Sequence, residues 1–485
     1  MNNQSKISRE KILGLLKKGQ LYNAKNLLEA YLLAVPDDWE MWVAGARISA
    51  NIGEAALAKT RVRRAIENWH DIPAFELGAL GNAVYKSNDI EYAEQLFRRA
   101  FELSPEPLTI FNLAASCRAL GKFEEAEQLY DRLIAAEPGD AEAIKNRSEL
   151  RRQTISNNHI DQIQRQLRSA KSSDNATRLN FALGKELEDL DRYAEAFSAY
   201  EAGNKARRAS LNYDVSVDIG ILESLASIEM SQPSAEQNAS PIFVVGLPRT
   251  GTTLVERIVA CHSSVTSVGE SVAFPAAISR AGVASGGSTT GTISDRIKRI
   301  GRMSSNVLSE SYLFELSRRH DIQPLQRTID KLPLNYLHVG LIRFAFTNAR
   351  IIWVKRGVLD TVVALYRTLF SAPYPFTYEL EEMTAYLIAY FELEQQWSER
   401  VDNLHIVEYE ALVTDQEIET RKLLAYCRLE WEASCLSPEL SMQPGTTASA
   451  VQVRQKVHGN SIDQWRRYEG QLTKTMEQLQ RAGLV

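Results

Sequence analysis

Residues 241–253, Pro-Ile-Phe-Val-Val-Gly-Leu-Pro-Arg-Thr-Gly-Thr-Thr, constrain the fold more than any other stretch of this chain. The apolar, β-branched run Ile242 to Val245 reads as a buried strand. It stops at Gly246, and Gly251 precedes the helical pattern Leu254-Val255-Glu256-Arg257-Ile258-Val259. Strand, tight glycine-bearing loop and helix N-terminus together aim backbone N–H groups and a helix dipole at an anion. A turn merely rich in small residues is the bland alternative, and for a lone glycine motif it would be preferred. Here a strand, paired glycines, Arg249 and two hydroxyls coincide, so an anion site is the expectation.

The spacing Gly246-x-x-x-x-Gly251 is that of a Walker A loop, but Thr252-Thr253 stands where Lys-Ser or Lys-Thr should follow. The loop therefore lacks the lysine that reaches an ATP β/γ-phosphate, and its own cation is Arg249. Further along, Ile351-Ile352-Trp353-Val354 and Leu404-His405-Ile406-Val407 read as two more strands. Helical patterns lie at about 251–261, 358–370 and 379–400. That alternation predicts a parallel sheet covered by helices, with ligands at the strand C-terminal ends. The second strand runs into Lys355-Arg356, so Arg356 is expected in the same crevice, with an ion pair to Asp360 as the competing role.

Before residue 210 the chain repeats itself. Ala24 is followed by Pro36, Ala93 by Pro105 and Ala126 by Pro138, each at the same interval. Small alanines let paired helices approach closely, and each proline ends a helix. Residues 79–138 carry the pattern well. Residues 39–73 carry it poorly, with Pro73 late and Trp39, Trp42 and Trp69 in unusual places. Another helix pair is expected at about 177–208. The period resembles the tetratricopeptide repeat, whose concave surface implies binding of peptide segments, oligomerisation, or simple capping of the C-terminal domain.

At 485 residues more than one domain is expected. The expected division is 1–208, the helical repeats; 209–240, a connecting helix (Val215 to Ile228) and a polar linker; and 241–485, the α/β domain. Lys plus Arg is 56 and Asp plus Glu is 61, a net charge of −5. That leaves no basic excess for broad nucleic-acid binding. The four cysteines, Cys117, Cys261, Cys427 and Cys435, have no C-x-x-C spacing, which suggests neither a zinc site nor a disulfide framework. No apolar run is long enough to span a bilayer and the N-terminus lacks a signal-peptide core, so a cytoplasmic location is the expectation.

Gly246-Leu247-Pro248-Arg249-Thr250-Gly251-Thr252-Thr253 resembles the 5′-phosphosulfate loop of sulfotransferases, and Ala349 to Arg367 resembles their 3′-phosphate-binding strand and helix. Asp330-Lys331-Leu332-Pro333-Leu334-Asn335 and Trp465-Arg466-Arg467-Tyr468-Glu469 are similar to motifs of the bacterial sulfotransferases that carry tetratricopeptide repeats, which are related to the tyrosylprotein sulfotransferases. The resemblance covers 241–485 and, with the repeats, nearly the whole chain. It implies a P-loop-like three-layer α/β domain with a parallel central sheet, preceded by an α-helical solenoid. It also implies transfer of a sulfuryl group from 3′-phosphoadenosine 5′-phosphosulfate to an acceptor hydroxyl, without a metal. The flying group carries less charge than a phosphoryl, so fixed donors and cations can hold it. By the same resemblance Leu247, Pro248, Arg249, Thr250, Gly251, Thr252 and Thr253 bind the 5′-phosphosulfate and Arg356 the 3′-phosphate. Lys331 stabilises the leaving oxygen, with Arg249 assisting, and Glu270 is the catalytic base. Arg454 and Lys456 are added from placement alone, as cations on a segment that could close over the nucleotide. His262 is the rival base, though capping the first helix suits it better.

The chain also departs from the family pattern. The serine expected eight residues after the 3′-phosphate arginine is Ala364, the Asp-Pro after that arginine is Gly357-Val358, and Ser263 replaces a proline. Thr361 or Thr368 are the candidates to supply the missing hydroxyl. A repeat-bearing scaffold with a weakened or inactive transferase domain is therefore the alternative reading. A P-loop kinase is disfavoured by Thr252 and by the lack of a magnesium aspartate. The repeats lean the acceptor towards a peptide or protein.

Overall fold

The computed structural model describes residues 9–67, 69, 71–226, 240–284, 304–320, 327–370, 373–402, 404–441, 443–445 and 451–485. The polar linker 231–239 and the last two residues of the helix expected before it lie outside these. The described residues fall into two compact units. One comprises Met1–Ala136 with Leu316–Asp321 and Gln443–Gly445; the other comprises Glu137–Glu315, Ile322–Met442 and Thr446–Val485. No described helix is long and apolar enough to cross a membrane.

The first unit is built from helical hairpins: α1 (Arg9–Lys17) with α2 (Leu21–Ala34), α3 (Trp39–Asn51) with α4 (Ala55–Glu67), α5 (Ala74–Lys86) with α6 (Ile90–Leu103), and α7 (Pro107–Leu120) with α8 (Phe123–Ala136). Local chemistry sets their ends. Asp38 and Asp89 accept from backbone N–H groups in the first turns of α3 and α6, and Pro107 opens α7, where a missing N–H costs nothing. Gly121, at φ 80°, closes α7 in the left-handed conformation.

In the hairpins α3–α4 and α5–α6 a glycine closely faces a large residue sixteen positions on. A Cβ on Gly81 would lie 2.7 Å from the Phe97 ring, and one on Gly45 would lie 3.0 Å from Cδ of Arg61. The poorly patterned segment 39–73 thus still folds as a hairpin. Its partner to the small residue is not aromatic: buried Arg61 donates to Gly45 O at 3.1 Å and to Ser49 Oγ at 2.7 Å.

The second unit begins with α9 (Ala141–Ser148), α10 (Ile160–Ser169), the hairpin α11 (Ser173–Asp189) and α12 (Tyr193–Ala209), and α13 (Val215–Ala226). The α11–α12 hairpin repeats the same device, since a Cβ on Gly184 would meet Tyr200 at 2.7 Å. After it come β1 (Ile242–Gly246), α14 (Thr252–Ala260), β2 (Val265–Ser267), β3 (Arg327–Asp330), β4 (Arg350–Lys355) and β5 (Leu404–Glu408). The five strands form one parallel sheet in the order β2-β3-β1-β4-β5. β1 is central and buried throughout. Ile242, Val244, Ile352, Val354 and Val407 pack against Val255, Ile258 and Val259 of α14 and against Leu423 and Leu424. An α-helical repeat region followed by a helix-covered parallel sheet is the architecture expected.

Gly81→Val should destabilise the first unit by about 1–3 kcal/mol through overpacking against Phe97. Urea unfolding followed by circular dichroism measures this, and an unchanged midpoint would contradict the packing described.

Candidate functional site

The loop after β1 is held by backbone geometry that few residues tolerate. Gly246 has φ 140°, and a Cβ there would lie 2.6 Å from Val354 O on the neighbouring strand. Gly251, at φ 103°, leaves no room either, because Cδ2 of Tyr409 would be 2.6 Å from its Cβ. Between them Arg249 takes φ 68°, a conformation non-glycine residues seldom adopt and one that accumulates at functional sites. The Thr250 hydroxyl donates to Leu247 O at 2.7 Å, which pins the turn. α14 then starts at Thr252, so its first N–H groups open into the crevice beyond β1 and β4.

Three guanidinium groups meet there. Arg356, immediately after β4, is buried; its Nη1 donates to Arg249 O at 3.1 Å and its Nη2 to Ser461 O, and it lies 5.1 Å from the Tyr409 ring centroid. Arg249 Nη2 donates to Gln452 Oε1 at 2.9 Å. Arg367, just past the helix Val358–Tyr366, forms an ion pair with Glu188 at 2.6 Å. Burial, then the charges of Arg367 and Arg356, push Arg249 down to about 10. Arg356 is lowered as well, chiefly by burial. Cations gathered against their own repulsion gain most from a bound anion.

These arginines line a cavity of about 100 Å³ with Thr252, Thr253 and Lys456. Its cationic lining and backbone N–H groups fit phosphate and sulfate oxygens. Its volume fits one such group rather than a whole nucleotide. Gln452 and Ser461, which accept from Arg249 and Arg356, belong to the segment that narrows it. Asp360 anchors that segment by accepting from the N–H groups of Asp463 (2.7 Å) and Trp465 (3.0 Å), in place of the simple ion pair expected of it. Arg454 is not among the cavity-lining residues; burial lowers it, and its charge in turn adds to the lowering of Arg257 on α14.

The expected substitutes at the 3′ end direct their hydroxyls elsewhere. Thr361 Oγ1 donates to Gly357 O at 3.0 Å and Thr368 Oγ1 to Ala364 O at 2.8 Å. Arg367, which no local sequence signal singles out, lines the cavity in their stead.

A second cluster lies at the ends of β2 and β3. Lys331 is 1% exposed, and its N–H donates to Gly269 O at 3.0 Å. Its Nζ is 2.6 Å from Oε1 of Glu270 and 3.6 Å from Oε2 of Glu256. Glu270 is 45% exposed at its side chain, so one of its faces meets solvent. Glu256, on α14, is buried and accepts from Ser267 Oγ at 2.6 Å. Sequence reasoning misses it, because one glutamate in a helical pattern carries no signal. His262 is spent on backbone: Nδ1 accepts from Ser264 N at 3.1 Å and Nε2 faces Glu430 O at 3.0 Å. Asp330 is buried, accepting from Tyr312 (3.2 Å) and Asn335 (3.5 Å), and burial pushes its carboxyl up to about 8.

Among the described residues one group of possible metal ligands occurs, Glu94, Cys117 and Glu125 in the repeats. Arg98 and Lys122 already form ion pairs with its carboxylates, and burial raises the Cys117 thiol to about 12.

Residues 241–433 match the family model described as sulfotransferase family, and residues 107–150 match that of the tetratricopeptide repeat. The α/β segment is thus similar to sulfotransferase-family domains. An uncharacterized protein of Aquifex aeolicus (strain VF5) is 28% identical over 431 residues, which is 86% of this chain; the chain spans 56% of that protein's length. Among solved structures, the sulfotransferase domain of the Synechococcus PCC 7002 olefin synthase is 15% identical, with a TM-score of 0.35, covering 49% of this chain and 91% of that one. A sulfotransferase of Mycobacterium tuberculosis H37Rv is 12% identical, with a TM-score of 0.29, covering 64% of this chain and 97% of that one.

The raised Asp330 carboxyl has a stability consequence. A carboxyl titrating near 8 when folded and near 4 when unfolded favours the folded state while protonated, and that contribution is lost as pH rises between about 4 and 8. Asp330→Asn should therefore gain stability relative to the parent chain between pH 5 and pH 8.5 in urea titrations. A difference independent of pH would contradict the assignment.

Proposed function

We propose that this chain transfers a sulfuryl group from 3′-phosphoadenosine 5′-phosphosulfate to an acceptor hydroxyl. The observation that carries this reading is the convergence of Arg249, Arg356 and Arg367 on a glycine-bounded loop that has no Walker lysine. The backbone of 247–253 with Arg249, Thr252 and Thr253 holds the 5′-phosphosulfate, Arg356 holds the 3′-phosphate, and Lys456 adds charge at the rim. Arg454 is assigned to the segment that narrows the cavity rather than to the wall. Gln452 and Ser461 give up their places on the arginines to phosphate oxygens, which accounts for the narrow cavity.

The bound donor supplies an electrophilic sulfuryl group on a phosphate leaving group; the residues do the rest. Glu270, open to solvent on one side, takes the acceptor proton. Lys331 places a buried ammonium beside it and stabilises the developing charge on the leaving oxygen. Glu256, with Oε2 3.6 Å from the Lys331 ammonium, is a second carboxylate beside it. The repeats of 1–208 present a peptide or protein acceptor, and 241–485 carry out the transfer.

One observation favours the second reading, a scaffold with a weakened transferase domain: the hydroxyls of Thr361 and Thr368 are committed to backbone, and position 364 has none to offer.

Calorimetry should show adenosine 3′,5′-bisphosphate binding at least about tenfold tighter than AMP or ATP, a difference on the order of one charge-assisted hydrogen bond. Equal or absent binding rejects the donor. With labelled donor, Glu270→Ala should lose about 100-fold or more in turnover while bisphosphate affinity is kept. Turnover at the parent rate rejects Glu270 as base, and donor binding without any transfer by the parent chain selects the scaffold.

A further inference from the structure

Arg367 stands where three guanidinium groups would repel one another, and it is held there from outside the sheet. Its Nη1 bonds to Oε1 of Glu188 at 2.6 Å, while Oε2 of Glu188 accepts from the Tyr200 hydroxyl at 3.0 Å. Both partners are largely buried, with side chains 18% and 12% exposed. Glu188 lies on α11 and Tyr200 on α12, so the carboxylate is fixed by the helical hairpin and not by the transferase sheet. The same hairpin grips the end of the helix that presents Arg367. Asn204 Nδ2 donates to Tyr366 O at 2.8 Å, and Phe197 stacks on Tyr366 with ring centroids 5.5 Å apart.

The pairing with Glu188 uses one edge of a planar fork that has five N–H donors, so the guanidinium can grip a carboxylate and a phosphate together. Its neighbours in the cavity wall are Arg249 and Arg356. The hydroxyls at 361 and 368 are committed and residue 364 is alanine, so Arg367 is the donor available at that end of the wall.

We infer that Arg367 is a third phosphate-contacting cation of the nucleotide site and that Glu188 is its positioning residue, which makes the hairpin α11–α12 part of the nucleotide pocket. The inference rests on the reading of this cavity as a nucleotide site. It also gives α11–α12 a role beyond that of the repeats before it: the hairpin completes the transferase site.

The test is calorimetry of the full chain with adenosine 3′,5′-bisphosphate and with AMP at two salt concentrations, folding being checked by circular dichroism. Arg367→Ala should bind the bisphosphate about tenfold or more weakly and show a shallower salt dependence, which a purely structural loss would leave unchanged. Glu188→Ala should lose a comparable factor, and the double variant should bind no more weakly than Arg367→Ala, because the two side chains act as one unit. Glu188→Gln, which keeps an acceptor, should stay within about threefold of the parent. If the alanine variants fail to fold, Arg367→Lys replaces them and should lose about threefold or more, since a point charge cannot span both partners. Parent-like affinity in the Arg367 variant, or losses that multiply in the double variant, overturns the inference. Equal affinity of the parent chain for bisphosphate and AMP rejects the donor assignment instead. The same variants are then judged on AMP, and unchanged AMP binding overturns the role of Arg367.

Discussion

The parallel pairing of β1 with β4, in the register that sets Gly246 against Val354, is the constraint on which the site depends. It brings the end of β1 and the end of β4 to one edge, so the loop 246–253 and Arg356 open into the same crevice. The approach is close enough to exclude any side chain at position 246. Arg249 O accepts from Arg356 across that gap, so loop and strand end are locked together rather than merely adjacent. A register slip would redirect every side chain of the central strand and separate the two halves of the anion site.

The cationic site that this pairing assembles is electrostatically costly by itself. Arg249 is pushed down to about 10 by burial and by its cationic neighbours, offset in part by the charge of Glu149; Arg249 and Arg356 donate to neutral acceptors, Gln452 and Ser461, and Arg367 pairs with the carboxylate of Glu188. Neutral acceptors hold a guanidinium less strongly than an anion does, which leaves room for exchange. At the other cluster the buried Lys331 is shared between Glu256 and Glu270, and only Glu270 reaches solvent. One cluster is suited to holding a charged donor, and the other to accepting a proton without leaving a buried ammonium uncompensated.

The parts of this arrangement legible in the sequence are those written locally. β1, β4 and β5 announce themselves as apolar runs, and the glycine loop by its spacing. β2 and β3, at Val265–Ser267 and Arg327–Asp330, are short and partly polar, and carry no such pattern. Glu256 reads as an ordinary helical glutamate until Lys331 folds beside it. Arg367 and Glu188 are 179 positions apart, and nothing in the local pattern of either reveals the other. In the segment 39–73, whose late Pro73 and misplaced tryptophans blur the repeat, Arg61 stands where the hairpins α5–α6 and α11–α12 place an aromatic ring; its hydrogen bonds to Gly45 and Ser49 accompany the same close approach.

Whether the edge of β1 and β4 is a phosphosulfate cradle is tested most directly by a crystal structure of the full chain with adenosine 3′,5′-bisphosphate. The expected result is phosphate oxygens within hydrogen-bonding distance of Arg356 and of the N–H groups of 251–253, with Gln452 and Ser461 displaced from the arginines. A bisphosphate bound elsewhere, with Gln452 still on Arg249 and Ser461 still on Arg356, would contradict it.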